Sequence, residues 1–392
     1  MDVQLSDRLK KLPPYLFADL RRKMREAQAR GVKVIRIDIG DPDFPAPPAI
    51  EAELVRAAQD AADVNRCRYG CDRPVDALKK SFQEFYRRRW SVTLGDDQLV
   101  QTVGSKDAIA KLPMAIMNPG DMGIAPVPGY PTYNIGHVFA GAVTYQVPLL
   151  RENGFLVDFD AIPQEVRRLA KILWINYPNN PTAALAPMEF FTRAVEFGRK
   201  NDILIAHDSA YSENTYDGYK APSILQVPGA DEVAVEFFSL SKAFCMTGWR
   251  VGCLAGNASA VAALGKVKDN VDNGTPRPVQ FMAATALDQA ETLIPPINEV
   301  YQRRRDLVVD ALNAAGWRLE KPKATIYVWA PVPDRYNGDS GAFVTDLLEN
   351  TGVMVTPGRG YGQWGEGYFR IALTYPDAVL RDAMDRIIGM KL

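Results

Sequence analysis

The stretch VAVEFFSLSKAFCMTGWRVGCLAG, Val233 to Gly256, carries the pattern that decides the fold. A β-rich apolar run, VAVEFFS, is followed after one leucine by a serine and a lysine, and the stretch closes on a second such run, VGCLAG. A lysine just past the end of a buried strand stands where open α/β sheets keep their ligand sites. Partial desolvation there lowers the pKa of Lys242 and leaves a nucleophilic amine able to condense with a carbonyl compound. Arg250 and Ser239 then serve to hold a phosphate, the arginine through its planar fork and the serine through its hydroxyl. The alternative is a solvated loop lysine with a surface arginine, and the rest of the chain decides between the two.

Upstream, from about residue 99, the same alternation of short β-rich runs and amphipathic helical stretches recurs. LVQTV, MGIAPV, VTYQVPL, ILWINY and ILIAHD read as strands, and SKDAIAKLPMAIM and PMEFFTRAVEFGRK read as helices between them, the second opening at a proline. This is the signature of an α/β domain with a largely parallel sheet. Downstream, a long helical pattern runs from PRPVQFMAATAL to about residue 314. After it, GWRLEKPKATIYVWAPV, GVMVTPG and GYFRIAL supply a few strands framed by helices, a small α+β domain. The N-terminal arm is proline-rich at LPP and GDPDFPAPP, and Leu16, Phe17, Leu20, Met24 and Ala27 recur at helical spacing. It packs against the small domain or a partner subunit. The expected division is residues 1–45 for the arm and part of the small domain, 46–290 for the large domain and 291–392 for the small domain.

With 46 basic and 47 acidic residues among 392, the net charge of -1 gives no overall field for nucleic acid or an acidic membrane surface. No apolar run is long enough to span a bilayer, and MDVQLSDRLKKLPP lacks the apolar segment of a signal peptide. Four cysteines do not make a disulfide framework, and Cys67 and Cys71, with only His137 and His207 elsewhere, form no metal-ligand set. A cytoplasmic protein without a metal, a membrane or a nucleic acid as partner is expected.

A second anion site is expected at TVGSKDAIA, where a strand runs into Gly104 and a helix begins at Ser105 and Lys106. Taken alone, that segment is equally a helix start with a serine cap. Asp208 and Tyr211 in LIAHDSAYSE end another strand, where an aspartate is also a common helix cap. Arg370 in GYFRIAL, an arginine inside a strand, demands an anionic partner: a substrate carboxylate, or an internal salt bridge.

SLSKAFCMTGWRVG resembles the lysine motif of class I aminotransferases of fold type I, and the resemblance extends over nearly the whole chain. RLKKLPPYLFADL, DIGDPDFPAPP, INYPNNPT, HDSAYSE, PKATIYVWAPVP and VTPGRGYG are similar to the LL-diaminopimelate aminotransferase group. The resemblance implies the fold type I PLP-dependent transferase architecture, a large domain with a mainly parallel sheet flanked by helices plus a small α+β domain. It implies pyridoxal 5'-phosphate held on Lys242, with its phosphate at Gly104, Ser105, Lys106, Ser239 and Arg250. Asp208 then faces the pyridine nitrogen, where its charge keeps the ring an electron sink. Asn180 and Tyr211 reach the phenolic oxygen, and Tyr130 stacks on the ring, although an aromatic after Pro-Gly also serves as loop packing. Tyr69 reaches the neighbouring subunit's phosphate, which makes the enzyme a homodimer with shared sites.

Substrate contacts are implied at Tyr15, Gly40, Asn180, Arg370, Asp72 and Asn273. The reaction implied is a two-stage transfer of an α-amino group from an amino acid to a 2-oxo acid such as 2-oxoglutarate, with Lys242 moving the proton at Cα. LL-diaminopimelate or another basic amino acid is the favoured donor, since Asp72 offers a carboxylate to a distal cation; as a helix cap near Pro74 it would have no such part. Aspartate, alanine or aromatic donors, and a lyase or oxidative reaction on the same fold, are the rivals. The chain departs from the family at Ala183, where Asn-Pro-Thr is usually followed by glycine, at Pro74, and at Pro276, Arg277 and Pro278. These positions are expected to form or border the substrate pocket.

Overall fold

The computed structural model describes residues 1–12, 16–69 and 75–390, residues 16–20 by their backbone alone. Seven strands build the main sheet: β1 (Leu99–Thr102), β2 (Met122–Val127), β3 (Val143–Pro148), β4 (Ala170–Asn176), β5 (Leu204–Asp208), β6 (Ala234–Ser239) and β7 (Gly252–Gly256). Their spatial order is β1-β7-β6-β5-β4-β2-β3. Only the two pairings made by β7 are antiparallel. The short connection from β6 to β7 explains this, because a dozen residues bring a strand back beside its predecessor without a crossover helix. Every residue of β6 is buried, as a strand covered by helices on both faces requires.

That topology fixes where chemistry collects. The carboxyl ends of β1, β2, β4, β5 and β6 lie along one edge of the sheet, and antiparallel β7 contributes its amino end to the same edge. The chain leaves these ends at Gly104, Tyr130, Asn180, Asp208, Lys242 and Arg250.

A second sheet has the antiparallel order β9-β10-β8, from β8 (Tyr327–Pro331), β9 (Thr356–Pro357) and β10 (Tyr368–Ala372). Ile35–Arg36 from the arm pairs in parallel with Val353–Met354. Ala27, Ile35 and Ile37 share one apolar core with Val308, Leu347, Ile371 and Leu380, so the arm is built into the C-terminal half of the chain.

Local chemistry adjusts three of the expected elements. The run GWRLEKPKATIYVWAPV yields only the strand Tyr327–Pro331, because Thr325 sits at φ +72°, outside strand geometry. GVMVTPG splits into two short strands that join different sheets. The long helical pattern divides at Gln289 into helices Arg277–Asp288 and Ala290–Ala314. Among the described residues no helix is long and apolar enough to cross a membrane, and no group of three or more His, Cys, Asp or Glu is placed to hold a metal ion.

Candidate active site

A cavity of about 340 Å³ opens between the carboxyl edge of the main sheet and the second sheet. Its charged lining is Asp41, Lys106, Asp208, Lys242, Arg250 and Arg370, four cations against two carboxylates. Such a cavity favours a ligand with several negative groups.

Lys242 lies in the single turn Leu240–Ala243 that caps β6. Its Nζ donates to the carbonyl of Gly40, 2.6 Å away. Burial pushes its pKa down, opposed by the nearby Tyr327 and Asp41, so its amine is more readily freed of its proton than a surface lysine's. Glycine is required at position 40 because a Cβ there would stand 2.0 Å from the Tyr327 hydroxyl.

Asp208 ends β5. Its Oδ2 accepts a hydrogen bond from Tyr133 at 2.8 Å, whereas its Oδ1 is buried without a hydrogen-bond partner among the described residues. Burial pushes its pKa up to about 6, against the Tyr133 hydrogen bond, which lowers it. A buried carboxylate oxygen with no donor is costly, and a protonated ring nitrogen of a ligand would satisfy it.

The anion corner forms where β1 meets helix Ser105–Ile116. Gly104 is its N-cap at φ +71°, with no side-chain cap on the helix. A Cβ at Gly104 would come within 2.6 Å of Arg250 Nη2, so the bare backbone is what lets the arginine approach. Arg250 itself adopts φ +56°, and its guanidinium is held by the carbonyls of Thr247 (2.8 Å) and Val103 (3.3 Å). Two of its five donors are committed there, and the remainder are available to an anion. Ser239 Oγ accepts from the Ser241 amide at 3.3 Å, and both serines line the cavity with Ser105, Lys106 and Thr247.

On the opposite wall, β10 carries Arg370, which is only 3% exposed. Its Nη1 donates to Asn180 Oδ1 and its Nη2 to the Asp38 carbonyl, each at 2.8 Å, while Nε has no partner among the described residues. The guanidinium lies 3.9 Å from the centre of the Tyr327 ring. Both hydrogen-bond partners are neutral oxygens, so the internal salt bridge allowed by the sequence is not formed. A buried cation held only by neutral groups is poised for an anion from outside. Tyr211 donates to or accepts from Tyr327 across 3.0 Å, and Tyr130 lies edge-on to Tyr133.

Thus Gly40, Gly104, Ser105, Lys106, Tyr130, Asn180, Asp208, Tyr211, Ser239, Lys242, Arg250 and Arg370 converge. Tyr69 does not join them in its own chain: it is 84% exposed. Asn273 is likewise exposed and lines no part of this cavity. Tyr15, Asp72 and Pro74 lie outside the described residues.

Two of the sequence departures are placed away from the cavity. Arg277 is engaged by Asp63 at 2.6 Å and stacks on Phe281, with Pro276 as N-cap and Pro278 in the first turn of its helix. Ala183 lines a separate cavity with Phe155 and Tyr368.

Sequence reasoning passed over Asp41, Tyr133, Ser241, Thr247, Tyr327 and Tyr361. Ser241 and Thr247 stood inside the quoted motif, and the polar residues flanking its lysine and arginine were the available signal. Tyr327 and Tyr361 come from distant elements and left no local mark.

The description "Aminotransferase class I and II" matches residues 32–387. The LL-diaminopimelate aminotransferase of Moorella thermoacetica is 46% identical over 386 residues, 98% of each chain. That of Gloeobacter violaceus is 47% identical over 387 residues, again 98% of each. Among solved structures, apo-BacF from Bacillus subtilis superposes with a TM-score of 0.93 at 34% identity, covering 100% of this chain and 99% of that one. A probable N-succinyldiaminopimelate aminotransferase from Thermus thermophilus gives a TM-score of 0.88 at 33% identity, over 96% and 100% of the two chains.

Proposed function

The chain belongs to the class I and II aminotransferases, enzymes that use pyridoxal phosphate, and on that premise we propose that its amino donor is LL-diaminopimelate and its acceptor a 2-oxo acid such as 2-oxoglutarate. One observation carries the assignment of roles: Lys242, the unpartnered oxygen of Asp208 and the carboxylate-free cation of Arg370 line the same cavity. Curated relatives of that name at 46–47% identity support the donor.

The residues present fit the cofactor. Arg250, Ser105, Ser239 and the free amides at the start of helix Ser105–Ile116 would hold its phosphate. Asp208 would pair with its ring nitrogen, Tyr130 would pack on its ring, and Asn180 and Tyr211 would meet its phenolic oxygen. When bound, pyridoxal phosphate supplies an electron sink that weakens the bonds at the substrate's Cα.

The protein's own work is positioning and proton transfer. Arg370, braced by Asn180 and stacked on Tyr327, orients the α-carboxylate by a two-pronged charge-assisted hydrogen bond. The Lys242 Nζ, with its pKa lowered by burial, takes the proton from Cα as a general base and returns one as an acid. Cationic Arg250 and Arg370 line the cavity from the main sheet and the second sheet, and Lys242 lies with them in its lining.

Tyr69 is proposed to complete the site of a second copy in a homodimer, which its exposure supports. Free thiols at Cys67, Cys245 and Cys253 support a reducing, cytosolic setting.

The test is a donor screen of the purified enzyme with 2-oxoglutarate, following glutamate formation. LL-diaminopimelate should exceed aspartate, alanine and aromatic amino acids in kcat/KM by about tenfold or more. A preference for any of those three classes would overturn the donor assignment.

A further inference from the structure

Behind Asp208, on the other face of the main sheet, lies a buried pair of ionisable side chains. His207 and Glu236 stand opposite each other in the β5–β6 register, and both are fully buried. His207 Nε2 is 2.9 Å from the Tyr177 carbonyl, an oxygen that only accepts, so this nitrogen carries a proton. His207 Nδ1 is 2.9 Å from Glu236 Oε2.

That same oxygen already accepts from the Ser223 hydroxyl at 2.8 Å and the Ile224 amide at 3.2 Å. An ionised Oε2 accepts all three contacts, the third from a protonated Nδ1, while Oε1 of the same carboxyl is buried without a partner among the described residues. An imidazolium facing a carboxylate is the arrangement in which every one of these contacts is charge-assisted.

The surroundings of the pair are apolar or neutral: the Phe191 ring against the imidazole, and Tyr86 and Cys253 near the carboxylate. Asp208, the next residue along β5, feels the His207 charge, together with the Tyr133 hydroxyl and the Ala210 amide. Tyr211 and Lys242 share its cavity.

We propose that His207, pinned as an imidazolium between Glu236 and the Tyr177 carbonyl, is a positioning residue whose fixed positive charge keeps Asp208 ionised for the ring nitrogen of the cofactor. This rests on the reading of Asp208 given above.

The wild-type protein tests the first half directly, because it holds only two histidines. His137 is the internal reference: its Nε2 accepts from Trp174 at 3.0 Å, and burial pushes its pKa down to about 4. Nitrogen-15 NMR of histidine-labelled protein at neutral pH should show both His207 nitrogens protonated. His137 should show one protonated and one bare nitrogen. A bare nitrogen on His207 at neutral pH overturns the inference.

For the second half, cofactor dissociation constants are measured against pH for wild type, the double variant H207Q/E236Q, and Asp208→Asn. The double variant keeps neutral hydrogen-bonding groups in place of the ion pair. It should bind the cofactor about tenfold more weakly than wild type near pH 6, and about equally at high pH, where Asp208 is ionised in both. An equal loss at every pH, or no loss at any, means the pair is only structural and overturns this inference alone. If Asp208→Asn binds the cofactor as tightly as wild type, the reading of Asp208 fails and takes the inference with it.

Discussion

Replacing Arg370 with lysine keeps a positive charge in the cavity and removes the planar fork. The guanidinium is anchored by Asn180 Oδ1 and the Asp38 carbonyl, both at 2.8 Å, and braced against the Tyr327 ring at 3.9 Å. A lysine ammonium cannot hold those anchors and grip a carboxylate with two parallel bonds. The loss of one or two charge-assisted hydrogen bonds, each worth about 1.5–3 kcal/mol, should remove about 2–4 kcal/mol of transition-state binding, or roughly 30- to 1000-fold in kcat/KM. Because donor and acceptor both present an α-carboxylate, single-turnover measurements of the two half-reactions should fall by similar factors. Arg370 lies away from the anion corner, so cofactor affinity and absorbance should hold. A fall of less than about threefold, or a parallel loss of cofactor affinity, would refute the role given to Arg370.

Three further outcomes follow from the geometry. Ala183 sits at φ +59°, so Ala183→Gly should relieve left-handed strain and raise the stability measured by denaturant unfolding by about 0.5–1 kcal/mol, net of the added freedom of the unfolded chain, with turnover unchanged. Asp208 has its folded pKa raised to about 6 from 3.8, so the apo-protein loses this group's stability as pH climbs through that window. Asp208→Asn apo-protein should therefore be more stable than wild type at pH 8, by on the order of 3 kcal/mol at most, and the difference should vanish near pH 4. Mixing inactive Lys242→Ala chains with inactive Tyr69→Phe chains should restore partial turnover in hybrid dimers; no recovery in verified hybrids would leave Tyr69 without a cross-subunit role.

The legible part of the site was the part written locally. Gly104, Asp208 and Lys242 each end or follow an apolar β-rich run and Arg250 directly precedes one, and a strand end in an open α/β sheet is a place where side chains meet a ligand. Tyr327 and Tyr361 escaped because their partner, Arg370, is reached only through tertiary packing, and a tyrosine in IYVWAPV looks like any strand aromatic. Tyr133 sat three residues after Tyr130, yet its bond to Asp208 depends on how helix Thr132–Ala140 docks on β5. The bond between Arg277 and Asp63 left no local mark either, since the two stand more than two hundred residues apart. The small sheet was blurred for another reason: in GVMVTPG one residue, Val355, separates strands that belong to different sheets, and periodicity does not register so short a switch.

The proposed chemistry turns on Lys242 being the residue that holds the cofactor. The direct measurement is to reduce the cofactor-loaded enzyme with borohydride, digest it and map the pyridoxyl group by mass spectrometry. The expected result is modification of the peptide containing Lys242 alone, with Lys242→Ala folded but inactive and unlabelled. Labelling of another lysine, or none in an active enzyme, would contradict it.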